Sequence, residues 1–189
     1  ITVIKGYLLP KTIDKNTLVI CTSVSGNSIE TLTILEEIKE MNCKKLAVSS
    51  GGKMEEFCKN TSIGYIKIPM IHSPRASFTA FLYVMLHALE SILPLTKDEI
   101  INSIEEIKKL QKQINSDSLN ELNPALNIEN KITGIPVILY PDGFKAIAIR
   151  FKNSLQENSK SHAMIEDVIE SCHNGIVSWE KPSSVQPIL

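Results

Sequence analysis

Ser23, Ser25, Ser28 and Thr31 lie within nine residues of one another, with Gly26 among them. Four hydroxyls and the free amides of a turn are the donors that an anion needs, and a phosphate is the common one. The turn follows a short apolar run, Leu18-Val19-Ile20-Cys21, which reads as a buried strand. It precedes a periodic helical segment from about Ser28 to Met41. Strand, small polar turn and helix start together aim backbone N–H groups at a ligand, and Gly26 lets the chain bend close to it. A plainer reading stays open. Asn27 with Glu30 three residues on has the form of a capping box, so the turn could be a well-capped βα loop and nothing more.

Three more residues could carry chemistry. Glu157 falls where a helical stripe ends, and a carboxylate at a helix C-terminus is disfavoured by the dipole. Such a placement suits a general base. His173 follows sixteen positions later, beside Cys172. Arg75 sits just before an apolar helix, where a cation opposes the dipole. Each has a simpler reading by itself: an exposed loop glutamate, a structural histidine, a surface arginine.

The elements that must position these residues alternate. Val3-Ile4 is strand-like, and Leu18 to Cys21 is the strand before the serine-rich turn. The next helix sets Ile29, Leu32, Leu35, Ile38 and Met41 on one face. Leu46-Ala47-Val48 is a strand, Ser49-Ser50-Gly51-Gly52 a turn, and Met54 to Lys59 a short helix. Tyr65-Ile66-Lys67-Ile68 is a strand stopped by Pro69. An apolar helix from Phe78 to Leu93 follows and looks buried on most sides. Thr96 with Glu99 forms a second capping box, ahead of a stripe of Ile100, Ile104, Ile107 and Ile114. Residues Asn115 to Thr133 read as a polar join with some helix around Leu119 to Ile128.

The pattern then restarts. Pro136 to Tyr140 is a strand, Pro141-Asp142-Gly143 a turn, and Phe144, Ile147, Ala148, Phe151 and Leu155 a helical stripe. Ala163 to Ile169 fits either strand or helix, and Pro182 to Pro187 reads as a loop. Strands alternating with helices predict an α/β fold with a parallel sheet. Ligands in such sheets sit at the carboxyl ends of strands, where the Thr22–Thr31 and Ser49–Gly52 turns both fall. We expect a first half over residues 1–95, and a linker helix with the start of a second half over 96–189.

Composition narrows the function. The net charge of −1, with Lys and Arg dispersed, gives no basic surface for nucleic acid. No apolar run is long enough to span a membrane. Cys21, Cys43, Cys58 and Cys172 form no C-x-x-C pair and, with the histidines, no zinc spacing. They read as reduced thiols of a cytoplasmic protein, and neither a metal nor a redox cofactor is expected.

Ser23-Val24-Ser25-Gly26-Asn27-Ser28-Ile29-Glu30-Thr31 resembles the S-x-S-G-x-[ST]-x-E-T signature of sugar isomerase (SIS) domains. Pro74-Arg75 before the long helix resembles a segment of the bifunctional phosphoglucose/phosphomannose isomerase branch. Leu155-Gln156-Glu157-Asn158-Ser159-Lys160 resembles L-N-E-N-[AS]-K, and His173-Asn174-Gly175-Ile176-Val177 resembles H-N-E-I-V, from the same branch. The resemblance implies a three-layer α/β/α SIS fold of two halves. It implies interconversion of glucose-6-phosphate, and of mannose-6-phosphate as well, with fructose-6-phosphate. Ser23, Ser25, Ser28 and Thr31 would hold the phosphate. The reaction passes a proton between adjacent carbons through an enediolate. Glu157 would be the base, His173 would open the ring, and Arg75 would sit by the developing charge. The resemblance also implies a homodimer with the active site at its interface.

Two positions depart from the pattern: Gln156 stands where Asn is frequent, and Gly175 where Glu is common. An upstream strand with a Gly-Ser turn and a downstream lysine of the family are missing, so we expect the chain to be incomplete at both ends. The competing classes are a sugar-phosphate-binding SIS regulatory module without catalysis and the isomerase half of an amidotransferase. The first does not require Glu157 and His173 together. The second requires a glutaminase domain and a Schiff-base lysine.

Overall fold

The computed structural model describes residues 1–178, 180 and 187–188. The chain divides into two compact units, Ile1–Leu95 and Thr96–Leu189.

The first unit is built on β1 (Leu18–Ser23), β2 (Lys44–Ser49) and β3 (Gly64–Lys67), a parallel sheet in the order β1-β2-β3. The register aligns Ser23 with Ser49 at the carboxyl end, and Ser49 in turn with Lys67. Helix α1 (Ile29–Ile38) returns from β1 to β2, and α2 (Gly52–Lys59) from β2 to β3. A helical crossover returns the chain to the start of the sheet, so each strand can pair in parallel with the one before it. Their inner residues form one core: Leu35, Ile38, Ala47 and Met54 are fully buried, with Cys21, Cys58 and Ile63 beside them. A 3₁₀ turn, Pro74–Ser77, leads into α3 (Phe78–Ala88).

Several expectations for this unit change. Val3-Ile4 is not a strand: the first strand among the described residues begins at Leu18, and Val3 is exposed. Ile29 lies outside the inward face of α1, which is set instead by Ile34, Leu35 and Ile38. The Asn27–Glu30 capping box does not form; Ser28 is the N-cap residue, and no side chain caps α1. Helix α3 ends at Ala88 and buries none of its residues, with Phe78 and Leu82 both exposed. An apolar helix is buried only where another element covers it, and the chief packing of α3 is against the turn before it.

The second unit opens with α4 (Lys97–Ile114), whose capping box is complete. The Glu99 amide donates to Thr96 Oγ1 (3.2 Å), and the Thr96 amide donates to Glu99 Oε2 (2.7 Å). The isoleucine stripe of α4 is not a core face: no residue of this helix is buried, and Ile107 and Ile114 are exposed. The polar join holds one short helix, α5 (Pro124–Glu129), capped by the buried Asn123. Strand β4 (Ile135–Tyr140) pairs in parallel with β5 (Met164–Asp167) on one side. On the other it pairs with β6 (Pro187–Ile188), so Pro187 is a strand residue rather than part of a loop. Residues 182–186, read as that loop, lie outside the described residues.

Helix α6 (Lys145–Ser154) buries Ala148 alone, while Phe144, Ile147 and Phe151 of its expected stripe remain exposed. After β5 the chain forms a helical segment in three parts: α7 (Val168–Glu170), a π turn (Ser171–Gly175) and α8 (Ile176–Ser178). The ambiguous stretch from Ala163 to Ile169 is therefore strand first and helix afterwards. No helix of the described residues is long and apolar enough to cross a membrane.

Candidate active site

The serine-rich turn leaves β1 at the carboxyl end of the first sheet. Ser23 is buried, and its hydroxyl accepts from the Gly26 amide (3.1 Å) and pairs with the Ser28 hydroxyl (2.9 Å). It braces the turn and fixes Ser28. Ser25 and Ser28 are exposed. Ser25 Oγ accepts from the Asn27 amide at 3.2 Å. The Thr31 hydroxyl faces the Thr22 carbonyl at 3.5 Å, at the weak limit of a hydrogen bond. With no side chain on its cap, α1 presents its first amides and the positive end of its dipole beside Ser25 and Ser28.

A second loop holds this one in place. The Ser50 amide donates to the Val24 carbonyl (2.9 Å), and the Met54 amide donates to the Gly26 carbonyl (2.9 Å). Asn27, expected to cap α1, instead joins the loops: its Oδ1 accepts from the Lys53 amide (3.1 Å), and its Nδ2 donates to the Ser25 carbonyl (3.2 Å). The first turn of α2 thus spends its amides on the neighbouring loop, and the start of α1 stays open. Glycines make this approach possible. A Cβ on Gly26 would lie 1.8 Å from the Gly51 carbonyl oxygen, and one on Gly52 would lie 2.4 Å from that of Ser25. Both residues also have positive φ, at 68°. The Gly51-Gly52 pair was the sequence signal for this contact. Nothing in the sequence marked Asn27 as its clamp.

Arg75 is exposed within the turn Pro74–Ser77. Two residues before it, the Ser73 hydroxyl is enclosed without a hydrogen-bond partner among the described residues.

Glu157 and His173 both belong to the second unit. Glu157 lies in a π turn, Leu155–Ser159, closed by the Lys160 amide donating to the Leu155 carbonyl. Lys160 adopts a left-handed conformation (φ 57°), and its Nζ donates to the Glu157 carbonyl (2.8 Å). That αL residue ends the helix and leaves Glu157 exposed on its last turn. His173 is exposed in the second π turn, closed by the Ile176 amide donating to the Ser171 carbonyl. Its segment is started by Asp167, whose carboxylate accepts from the amides of Ile169 (2.9 Å) and Glu170 (3.4 Å). Sequence reasoning placed Glu157 at a helix end and assigned His173 to no element, and it gave no sign of either π turn.

Residues 121–189 match the model of the bacterial phospho-glucose isomerase C-terminal SIS domain. The chain is 34% identical to the bifunctional phosphoglucose/phosphomannose isomerase of Aquifex aeolicus, over 95% of this chain and 53% of that protein. It is 31% identical to the protein of the same name from Caldicellulosiruptor bescii, over 96% of this chain and 55% of that protein. A D-glucosamine-6-phosphate 4-epimerase of Sulfolobus acidocaldarius is 30% identical, over 87% and 51% of the two chains. The chain thus spans about half the length of the curated relatives it matches.

The fold is that of glucosamine-6-phosphate deaminase from Thermotoga maritima, with a TM-score of 0.68 at 14% identity over 92% of this chain and 52% of that one. Tagatose-6-phosphate ketose/aldose isomerase from Escherichia coli is also similar, with a TM-score of 0.56 at 14% identity over 88% and 47%. Parallel sheets, the serine-rich turn and the matches along nearly all of its length point one way: the chain is similar to bifunctional phosphoglucose/phosphomannose isomerases, and its residues 121–189 match an SIS domain of bacterial phospho-glucose isomerases.

Proposed function

We propose that the full-length protein is a phosphosugar aldose–ketose isomerase, interconverting glucose-6-phosphate and mannose-6-phosphate with fructose-6-phosphate through an enediolate. The observation that carries the phosphosugar reading is the uncapped start of α1 beside Ser25 and Ser28. An anion there meets free amides, two hydroxyls and a helix dipole at once. Ser25, Ser28 and Thr31 contact the phosphate in this reading, and Ser23 holds Ser28 in place. The printed names of the relatives support the reaction type. Glu157 takes the proton from the carbon next to the carbonyl and returns it to the neighbouring carbon. His173 moves the ring-opening proton, and Arg75 faces the developing enediolate charge. No step in this scheme calls on a metal or redox cofactor.

The functional assembly in this reading is a cytoplasmic homodimer with the active site at its interface. Residues 1–95 form the first half; residues 96–189 form the linker helix and the start of the second.

Proton NMR of fructose-6-phosphate in D₂O, with the full-length protein and its Glu157→Gln variant, tests the proposal. Deuterium should enter the sugar and an aldose phosphate should appear with the parent alone. Saturable phosphosugar binding without exchange would instead support a regulatory module. Turnover of glucosamine-6-phosphate to its C4 epimer alone would move the chain to the activity named for the Sulfolobus relative.

A further inference from the structure

Gly175 ends the π turn that carries His173. Its backbone does not lie in the left-handed region, so conformation does not demand a glycine there. Space does. A Cβ at this position would lie 2.9 Å from Glu166 Oε1, 3.0 Å from Glu166 Oε2 and 3.1 Å from Ser171 Oγ. Both oxygens are nearly equidistant, so the carboxylate lies across the place where a side chain would begin. Glu166 comes from β5, opposite Leu139 of β4, near the carboxyl ends of two parallel strands. The next residue, Asp167, caps the helical segment at its start. Two successive acidic residues therefore lie by the same segment: Asp167 caps its first turn, and the Glu166 carboxylate stands beside Gly175 at the end of the π turn.

Glu166 as a residue is partly buried, and its carboxylate makes no hydrogen bond or ion pair among the described residues. We propose that Glu166 is a positioning residue for His173, its carboxylate filling the place over the π turn that a side chain at position 175 would otherwise take. This rests on the assignment of His173 to the reaction. A longer side chain at position 175 would compete with the Glu166 carboxylate for that place. The two positions then form an exchange pair that admits one carboxylate and not two.

Steady-state isomerisation of fructose-6-phosphate by the full-length protein tests this, with thermal melting measured beside it. Glu166→Ala should lower kcat about tenfold while KM stays within about twofold, because a displaced catalytic group slows chemistry more than binding. Glu166→Gln keeps the shape and should retain most of kcat. Gly175→Glu alone puts two carboxylates in one place and should lower both kcat and Tm. The double variant Glu166→Ala/Gly175→Glu should recover kcat above either single variant. A double variant no better than the worse single one, or Glu166→Ala with an unchanged kcat, overturns the proposal. His173→Ala separates the two levels: parental activity in that variant would remove His173 from the reaction and the role of Glu166 with it. Loss of activity in His173→Ala with none in Glu166→Ala would overturn the positioning role alone.

Discussion

Glu157 and His173 occupy the same place in two copies of one local geometry. Each is the third residue of a five-residue π turn, and each is followed by an asparagine, Asn158 and Asn174. One turn closes α6 and the other interrupts the segment from Val168 to Ser178. A π turn widens the helix by one residue and recurs at functional sites. Here it leaves both side chains exposed at the surface of the second unit.

The first prediction concerns the base. Glu157→Gln keeps size and hydrogen-bonding shape but cannot take a proton. Deuterium incorporation from D₂O into fructose-6-phosphate should fall by about 10²–10⁴-fold, the usual weight of a positioned general base. Phosphosugar affinity, followed by calorimetry, should hardly change. If binding and exchange were lost together, Glu157 would be a structural residue.

Ser23 and Ser28 should separate by what their loss does. Ser28→Ala removes an exposed hydroxyl beside the start of α1, so KM for the phosphosugar should rise and Tm should stay close to parental. Ser23→Ala removes a buried acceptor and leaves the Gly26 amide unpaired. That should cost about 1–3 kcal/mol in a urea titration. Equal effects of both changes on Tm and KM would mean that the turn does not divide into a brace and a contact.

Much of the first unit was legible in the sequence because its signals are local. The apolar run before Thr22, the turn glycines and the period of α1 each report on neighbouring residues. What escaped depends on pairs far apart in the chain. Asn27 has the sequence form of a cap, yet its side chain is taken by Lys53 and Ser25, a competition that no short-range pattern contains. Ile107, Phe144 and Phe151 have the right spacing for a core face and are exposed. Periodicity tells which face is apolar, not whether anything covers it. The two π turns were hidden for a related reason: each lies at or beyond the end of an apolar stripe, so no later period reports the additional residue.

Gly26 and Gly143 allow space and backbone conformation to be weighed separately. Both have positive φ, at 68° and 81°. A Cβ on Gly143 would meet nothing within 4 Å, whereas one on Gly26 would lie 1.8 Å from a backbone oxygen of Gly51. Gly143→Ala should therefore cost only the left-handed penalty of about 1–2 kcal/mol. Gly26→Ala should cost several-fold more and abolish phosphosugar binding, because the β1–α1 and β2–α2 loops could no longer meet. Similar losses for the two variants in denaturant titrations would show that the loops yield easily and that the contact is not needed.

The last prediction follows from Cys21. Burial in the core pushes its thiol up from an ordinary value of 9.0 to about 12, and the neighbouring Cys58 and Cys43 push the same way. In the unfolded chain the thiol ionises near its ordinary value, while in the folded protein it stays protonated. Its contribution is therefore fully present below about pH 9 and is lost as the pH rises toward about 12, because the unfolded state binds fewer protons across that window. The slope is at most about 1.4 kcal/mol per pH unit. Urea titrations at pH 8 and pH 10.5 should show the parent losing about 1–2 kcal/mol more than Cys21→Ala over the same interval. The variant is less stable at every pH through lost packing, so the difference in slope is the quantity to read. Parallel losses in both proteins would mean that Cys21 meets water in the folded state and that the core around Leu35 and Met54 is open to solvent.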